Sequence, residues 1–198
     1  MSHALEANAS QTVGPYFAYS LVPEQYGYPF SSVAGSTLVD NNTDGERIRI
    51  EGRVFDGEGR PISDALIEIW QADAQGRYAH PLDPRSSNAS FQGFGRVGTG
   101  ANSEGRFVFE TIKPGPVDGT QAPHVNLIVL MRGLLQHAYT RIYFSDETVG
   151  NANDPVLSSV PADRRSTLIA KREQTGAGVV YRFDIHMQGP RETVFFDV

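Results

Sequence analysis

The chain has 198 residues, 39% hydrophobic and 20% charged, which is enough for one well-buried core and points to a single domain with an arm. A net charge of -6 with scattered Lys and Arg excludes an electrostatic footprint for nucleic acid or an anionic lipid surface, and the lack of cysteine excludes disulfides and thiolate sites. No stretch approaches the roughly 20 apolar residues of a membrane span, and Met1 to Ala9 lacks a basic-then-apolar order, so a cytoplasmic protein of bacterial type is expected.

Residues 1–45 are rich in Gly, Pro, Ser and Asn, yet they carry Tyr16, Phe17, Tyr19, Tyr26, Tyr28 and Phe30. That is too aromatic for a disordered tail, so an irregular arm lying on something is expected. Within it, Ser10 to Tyr16 (S-Q-T-V-G-P-Y) joins small polar residues to a Gly14-Pro15 turn, where backbone can approach a neighbour or a ligand. An arm that only packs and an arm that lines a site are both open readings.

From Arg47 the pattern becomes β. Ile48, Ile50, Val54 and Phe55 lead through the turn cluster Asp56 to Gly59 and Pro61 into Leu66 to Gln71, a hairpin-like pair. Residues 71–92 read as a long loop, and Phe94 to Thr99 and Arg106 to Thr111 as the next two strands. Pro123 then opens an apolar strand expected to be covered on both faces, and Gly133 breaks it before a partner strand, Tyr139 to Phe144. Pro161, Asp163, Lys171 and Arg172 suit the ends of a helix over 160–172, with Leu168 and Ile169 on the core. Val179 to Met187 and Thr193 to Val198 close the chain. Strands at short spacing without intervening helices predict an all-β, antiparallel β-sandwich over 46–198, behind an arm over 1–45.

The Gly-x-Ser-x-Gly elbow, the P-loop, the dinucleotide fingerprint and the His-Glu-x-x-His helix are all absent. Strand alternation puts His124 and Asn126 on one face with Ile128 and Leu130, and Val125, Leu127, Val129 and Met131 on the other. Two imidazoles at that spacing would aim at one metal, but the amide of Asn126 has no basic nitrogen. His124 is therefore either a remnant of a metal site or a hydrogen-bonded core histidine. Arg132, at the strand's end, is either a surface arginine or the cation for an anionic substrate, since a guanidinium matches a carboxylate with two parallel hydrogen bonds.

Taken together, several ordered motifs resemble the intradiol ring-cleavage dioxygenases. They are Ser10 to Tyr16, Gly52 to Gly57, Leu66 to Ala72, Thr111 to Gly115, Ala122 to Asn126, Thr140 to Phe144, Leu168 to Arg172, Tyr181 to Ile185 and Glu192 to Asp197. The resemblance implies a β-sandwich in which two Tyr and two His hold Fe(3+), where a catechol is opened between its hydroxyl-bearing carbons with dioxygen. The protein's part is placement and electrostatics.

This chain departs from that ligand pattern: Val117 stands for the Tyr after the Lys-Pro-Gly-Pro run, Gln121 for an Arg, and Asn126 for the second His. The loop that should bring the other Tyr ligand is short and offers only Tyr78, which matches a non-ligand Tyr. Of four ligands His124 alone survives, so the chain by itself is expected to bind no iron and to be inactive. The pattern is similar to the alpha-type chain of two-chain members, which completes the active-site wall of a homologous iron-bearing beta chain in a higher closed assembly. The implied substrate is protocatechuate, and the implied substrate-side residues are Thr12, Gly14, Pro15, Tyr16 and Arg132. Two other readings stay open: a self-sufficient iron dioxygenase that recruits Tyr78 and another Tyr, and a non-enzymatic β-sandwich binding module.

Overall fold

The computed structural model, which describes residues 9–14, 16–85, 91–101 and 103–198, has nine strands among those residues. They are β1 (Arg47–Phe55), β2 (Leu66–Gln71), β3 (Phe94–Gly98), β4 (Arg106–Ile112), β5 (His124–Leu130), β6 (Ala138–Phe144), β7 (Ile169–Thr175), β8 (Gly178–Arg182) and β9 (Ile185–His186). The pairing order is β3-β2-β5-β6-β7-β8-β1-β4, with β9 on β1. One core is filled from both halves of this path: Ile67, Ile69, Val125, Leu127 and Ile142 meet Ile48, Ile50, Phe107, Phe109 and Tyr181. The protein is thus mostly β, with the sheet wrapped around its apolar face.

Six of the strands fall where the alternation places them, but their partners differ from the sequence reading. β1 and β2 are not a hairpin: β1 pairs with β4, β8 and β9, and β2 with β3 and β5. The sheet is mixed rather than purely antiparallel, because β6 with β7, β1 with β8 and β1 with β9 run parallel. Gly52 permits the close approach of the last segment, since a Cβ there would lie 1.7 Å from the carbonyl oxygen of Phe183. Only glycine leaves room for the bond from the Phe183 N–H to the Glu51 carbonyl at 2.9 Å.

The helix expected over 160–172 does not form. Pro161 caps a turn that accepts the Arg164 and Arg165 N–H groups, a 3₁₀ turn follows at Arg165–Leu168, and Lys171 and Arg172 lie in β7. Ile169 and Ala170 pair with Tyr143 and Phe144 of β6, and the next five residues pair with β8. Satisfying the open backbone of two neighbouring strands outweighs a few tenths of a kcal/mol of helical preference per residue. The helices lie just upstream, α1 (Thr148–Asn153) and α2 (Pro155–Ser159); Asp154 caps the second by accepting the Leu157 N–H at 2.8 Å.

Two smaller differences bear on the site. The expected strand 179–187 is interrupted between β8 and β9, and the last residues contribute one bridge, Tyr139 to Phe196. β5 is buried on one face only: Val125, Leu127 and Val129 are sealed in the core, whereas Asn126, Ile128 and Leu130 stay partly accessible.

Candidate functional site

Register builds the accessible face of β5 into a floor. Asn126 stands opposite Trp70 of β2 and Arg141 of β6, while Ile128 stands between Glu68 and Tyr139. Across β3, Phe94 and Arg96 extend the two rows. The segment after β2 folds over this floor because Asp73 gathers the N–H groups of Gln75 and Arg77 at 2.9 and 3.0 Å and reverses the chain. Asp83 then accepts the Tyr78 N–H at 2.9 Å and pairs with Arg85 at 2.7 Å. The result is a cavity of about 860 Å³ that opens to solvent.

His124 lies behind Tyr78, fully buried. Its Nδ1 is 2.8 Å from the Ala122 carbonyl, to which it donates; Ala122 is itself held by its N–H donating to Asp154 at 2.8 Å. That tautomer leaves Nε2 as acceptor for the Tyr78 hydroxyl at 3.4 Å. Burial lowers the His124 pKa, so the imidazole is neutral, and burial likewise raises the Tyr78 pKa and keeps it a phenol. Asn126 sits between two phenols: it donates to Tyr78 at 3.1 Å and accepts from Tyr139 at 2.5 Å. Gln121 accepts from Arg141 at 2.8 Å, and Val117 is buried without offering a donor.

This donor set does not fit ferric iron. Binding such an ion takes several imidazole or anionic oxygen donors converging on one point. Here the convergence point of His124, Tyr78 and Tyr139 is filled by a carboxamide that already bonds both phenols, and both His124 nitrogens are engaged. No cluster of three or more His, Asp or Glu suited to a metal occurs among the described residues.

A second locus lies across Tyr139, where the arm meets the turn after β5. Thr12 accepts the Gly133 N–H at 2.9 Å, so residues 121 positions apart bring the arm motif against Arg132. Arg132 pairs with Asp64, and its side chain is 58% exposed. Gln11 and Val13 line a cavity of about 680 Å³ with Leu130, His137, Tyr139 and Phe196. Gly14 accepts the Phe17 N–H at 3.2 Å, and nothing lies within 4 Å of where its Cβ would be. Pro15 lies outside the described residues. Tyr16 is 71% exposed and edge-on to Tyr19 at 5.3 Å, the first ring of a chain through Tyr28 to Phe30. Thr12 and Arg132 therefore meet at the turn after β5, whereas Gly14 and Tyr16 make their contacts within the arm. Sequence reading misses Asp64, Tyr139, Trp70 and Asp154, because their roles arise from register and loop closure rather than from any motif.

The family model described as Dioxygenase matches residues 32–189. The chain belongs to this dioxygenase family. It is 54% identical over 195 residues to the protocatechuate 3,4-dioxygenase alpha chain of Burkholderia cepacia, covering 98% of both chains. To the alpha chain of that name from Pseudomonas putida it is 40% identical over 199 residues, 98% of this chain and 97% of the other. The protocatechuate 3,4-dioxygenase beta chain of Burkholderia cepacia is also related, 34% identical over 157 residues, 73% of this chain and 66% of that one. Among solved structures, the dioxygenase domain of a carbohydrate-binding fusion from Streptomyces sp. SirexAA-E has a TM-score of 0.60 at 24% identity, covering 93% and 97% of the two chains. At that identity the likeness shows the dioxygenase fold alone. The family resemblance carried by the sequence motifs is borne out.

Proposed function

We propose that this chain is the alpha-type, non-iron-binding subunit of a protocatechuate 3,4-dioxygenase, a β-sandwich that pairs with a homologous beta chain. In this reading the beta chain holds Fe(3+), which supplies the activation of the catechol toward dioxygen, and the substrate is cleaved between its two hydroxyls to 3-carboxy-cis,cis-muconate. The present chain supplies wall and orientation. The observation that carries the reading is Asn126, which stands where a second imidazole would be needed and bonds both nearby phenols, in a chain alike from end to end to alpha chains.

The arm supports a part for this chain in a shared site. Gly14 has open space around it and needs no glycine for its own backbone, so its lack of a side chain suits the approach of a group from outside the chain. The exposure of Arg132, which pairs with Asp64 beside the Thr12 contact, supports its part as the cation for the carboxylate that protocatechuate carries, a group that needs a cation or several donors when it is buried. The exposed rings from Tyr16 to Phe30 offer apolar area to the partner.

Coexpression with a beta-type chain tests the proposal. The complex should contain iron, carry the colour of iron-tyrosinate and cleave protocatechuate, whereas this chain purified alone should be colourless and inactive. Iron and ring cleavage in the lone chain would instead support a self-sufficient enzyme, and inactivity of every iron-bearing pairing would favour a binding module.

A further inference from the structure

The cavity above the floor of β2, β5 and β6 is separate from the arm locus, and the proposed reaction gives it no work. Its walls are aromatic on three sides: Trp70, 37% exposed, lies 6.3 Å from Tyr78, 5.8 Å from His80 and 6.4 Å from Phe94, with Ile128 and Tyr139 beyond. Tilted and edge-on rings at such separations offer a slot for another ring. At its base the hydrogen-bonding capacity is only partly used. Asn126 has two N–H groups and gives one to Tyr78; the Tyr78 oxygen donates to His124, accepts from Asn126 and keeps a second lone pair. One donor and one acceptor side by side suit a hydroxyl, which both accepts and donates.

Charge narrows the choice. Among the described residues Glu68, Asp83 and Asp118 line the cavity against one lining cation, Arg85, which pairs with Asp83; outside the lining, Arg96 answers Glu68 at 2.6 Å and Arg141 is committed to Gln121 at 2.8 Å. An anionic ligand would meet this surplus of carboxylates without an uncommitted lining cation, whereas a neutral one would not. We propose that this cavity is a binding site for a small neutral phenol, its ring against Trp70 and its hydroxyl on Asn126 and Tyr78. The site is non-catalytic in this proposal, as its floor offers the ligand hydrogen bonds while Asn126 and His124 are engaged by the neighbouring phenols and the Ala122 carbonyl in a donor set that does not fit a metal. Open apolar cavities with a few convergent polar groups are the usual form of small-molecule sites.

The test is a titration of the full-length chain with 4-methylphenol, read by the fluorescence of its single tryptophan, Trp70, which lines the slot. A saturable change is expected. Asn126→Leu should weaken binding about tenfold by removing the donor. Ile128→Phe, which fills the slot without touching the hydrogen-bonded groups, should abolish it. The anion of 4-hydroxybenzoate, the same ring with a carboxylate for the methyl, should bind at least about tenfold more weakly. Absence of a saturable response, equal affinity in both variants, or 4-hydroxybenzoate binding as tightly as 4-methylphenol would each overturn the assignment. The titration involves no partner chain and no turnover, so its failure leaves the proposed pairing untouched, and failure of the pairing leaves this site standing.

Discussion

Asp154 is the buried anchor of the His124 end, and its two oxygens do different work. Oδ1 accepts the Leu157 N–H at 2.8 Å and the Tyr143 hydroxyl at 3.0 Å; Oδ2 alone accepts the Ala122 N–H at 2.8 Å. Asp154→Ala removes a helix N-cap, costing about 1 kcal/mol, and strands two further donors in a fully buried site at about 1–3 kcal/mol each. The expected loss is about 3–7 kcal/mol. Asp154→Asn can keep both Oδ1 bonds but turns an amide N–H toward the Ala122 N–H, so its loss should be about 1–3 kcal/mol. Urea denaturation of the full-length chain measures both, with midpoints compared at a common slope. An Asp154→Ala loss below about 1.5 kcal/mol, or equal losses in the two variants, would refute this division of labour.

Arg132→Ala should change stability by less than about 1 kcal/mol, since its pair with Asp64 is exposed, yet lower kcat/KM for protocatechuate in the coexpressed complex by about 1–3 kcal/mol. Unchanged kcat/KM would make it a surface residue. Gly14→Leu should leave the stability of the lone chain within about 0.5 kcal/mol while reducing the complex's activity or assembly, because the space that it fills lies outside this chain. For pH, burial lowers the His124 pKa below its ordinary 6.5, so the unfolded chain binds its proton first. Stability should therefore fall as pH drops below about 6.5 and level off below the folded pKa. His186, stacked on Phe55 at 5.0 Å and also lowered by burial, acts in the same direction, so the difference between wild type and His124→Gln isolates the His124 contribution. A difference that is flat between pH 7.5 and about 5 would contradict the assignment of a neutral buried imidazole.

Much of the site was legible in residue types. The His124-x-Asn126 pair, on one face of an apolar strand, already limits the metal chemistry, because an amide cannot replace an imidazole wherever the strand lies. Arg132 beside a Gly turn and the small residues of the arm could be picked out, but not that Thr12 bonds Gly133 and that Asp64 holds Arg132, since neither contact leaves a trace at short range. The floor was hidden for the same reason: Trp70 and Tyr139 join Asn126 and Ile128 only through the registers of β2 and β6 on β5.

The sequence by itself determined where strands β1 to β6 run, which side chains share a face, and which donor types are present, because alternation and side-chain chemistry are properties of neighbouring residues. Tertiary structure alone decided which strands pair. It placed β1 beside β4 and β8 rather than β2, and it turned residues 169–175 from an apparent helix end into the strand that joins β6 to β8. The reason is that an open strand edge must find a backbone partner, and which segment supplies it depends on burial contributed from everywhere else in the chain.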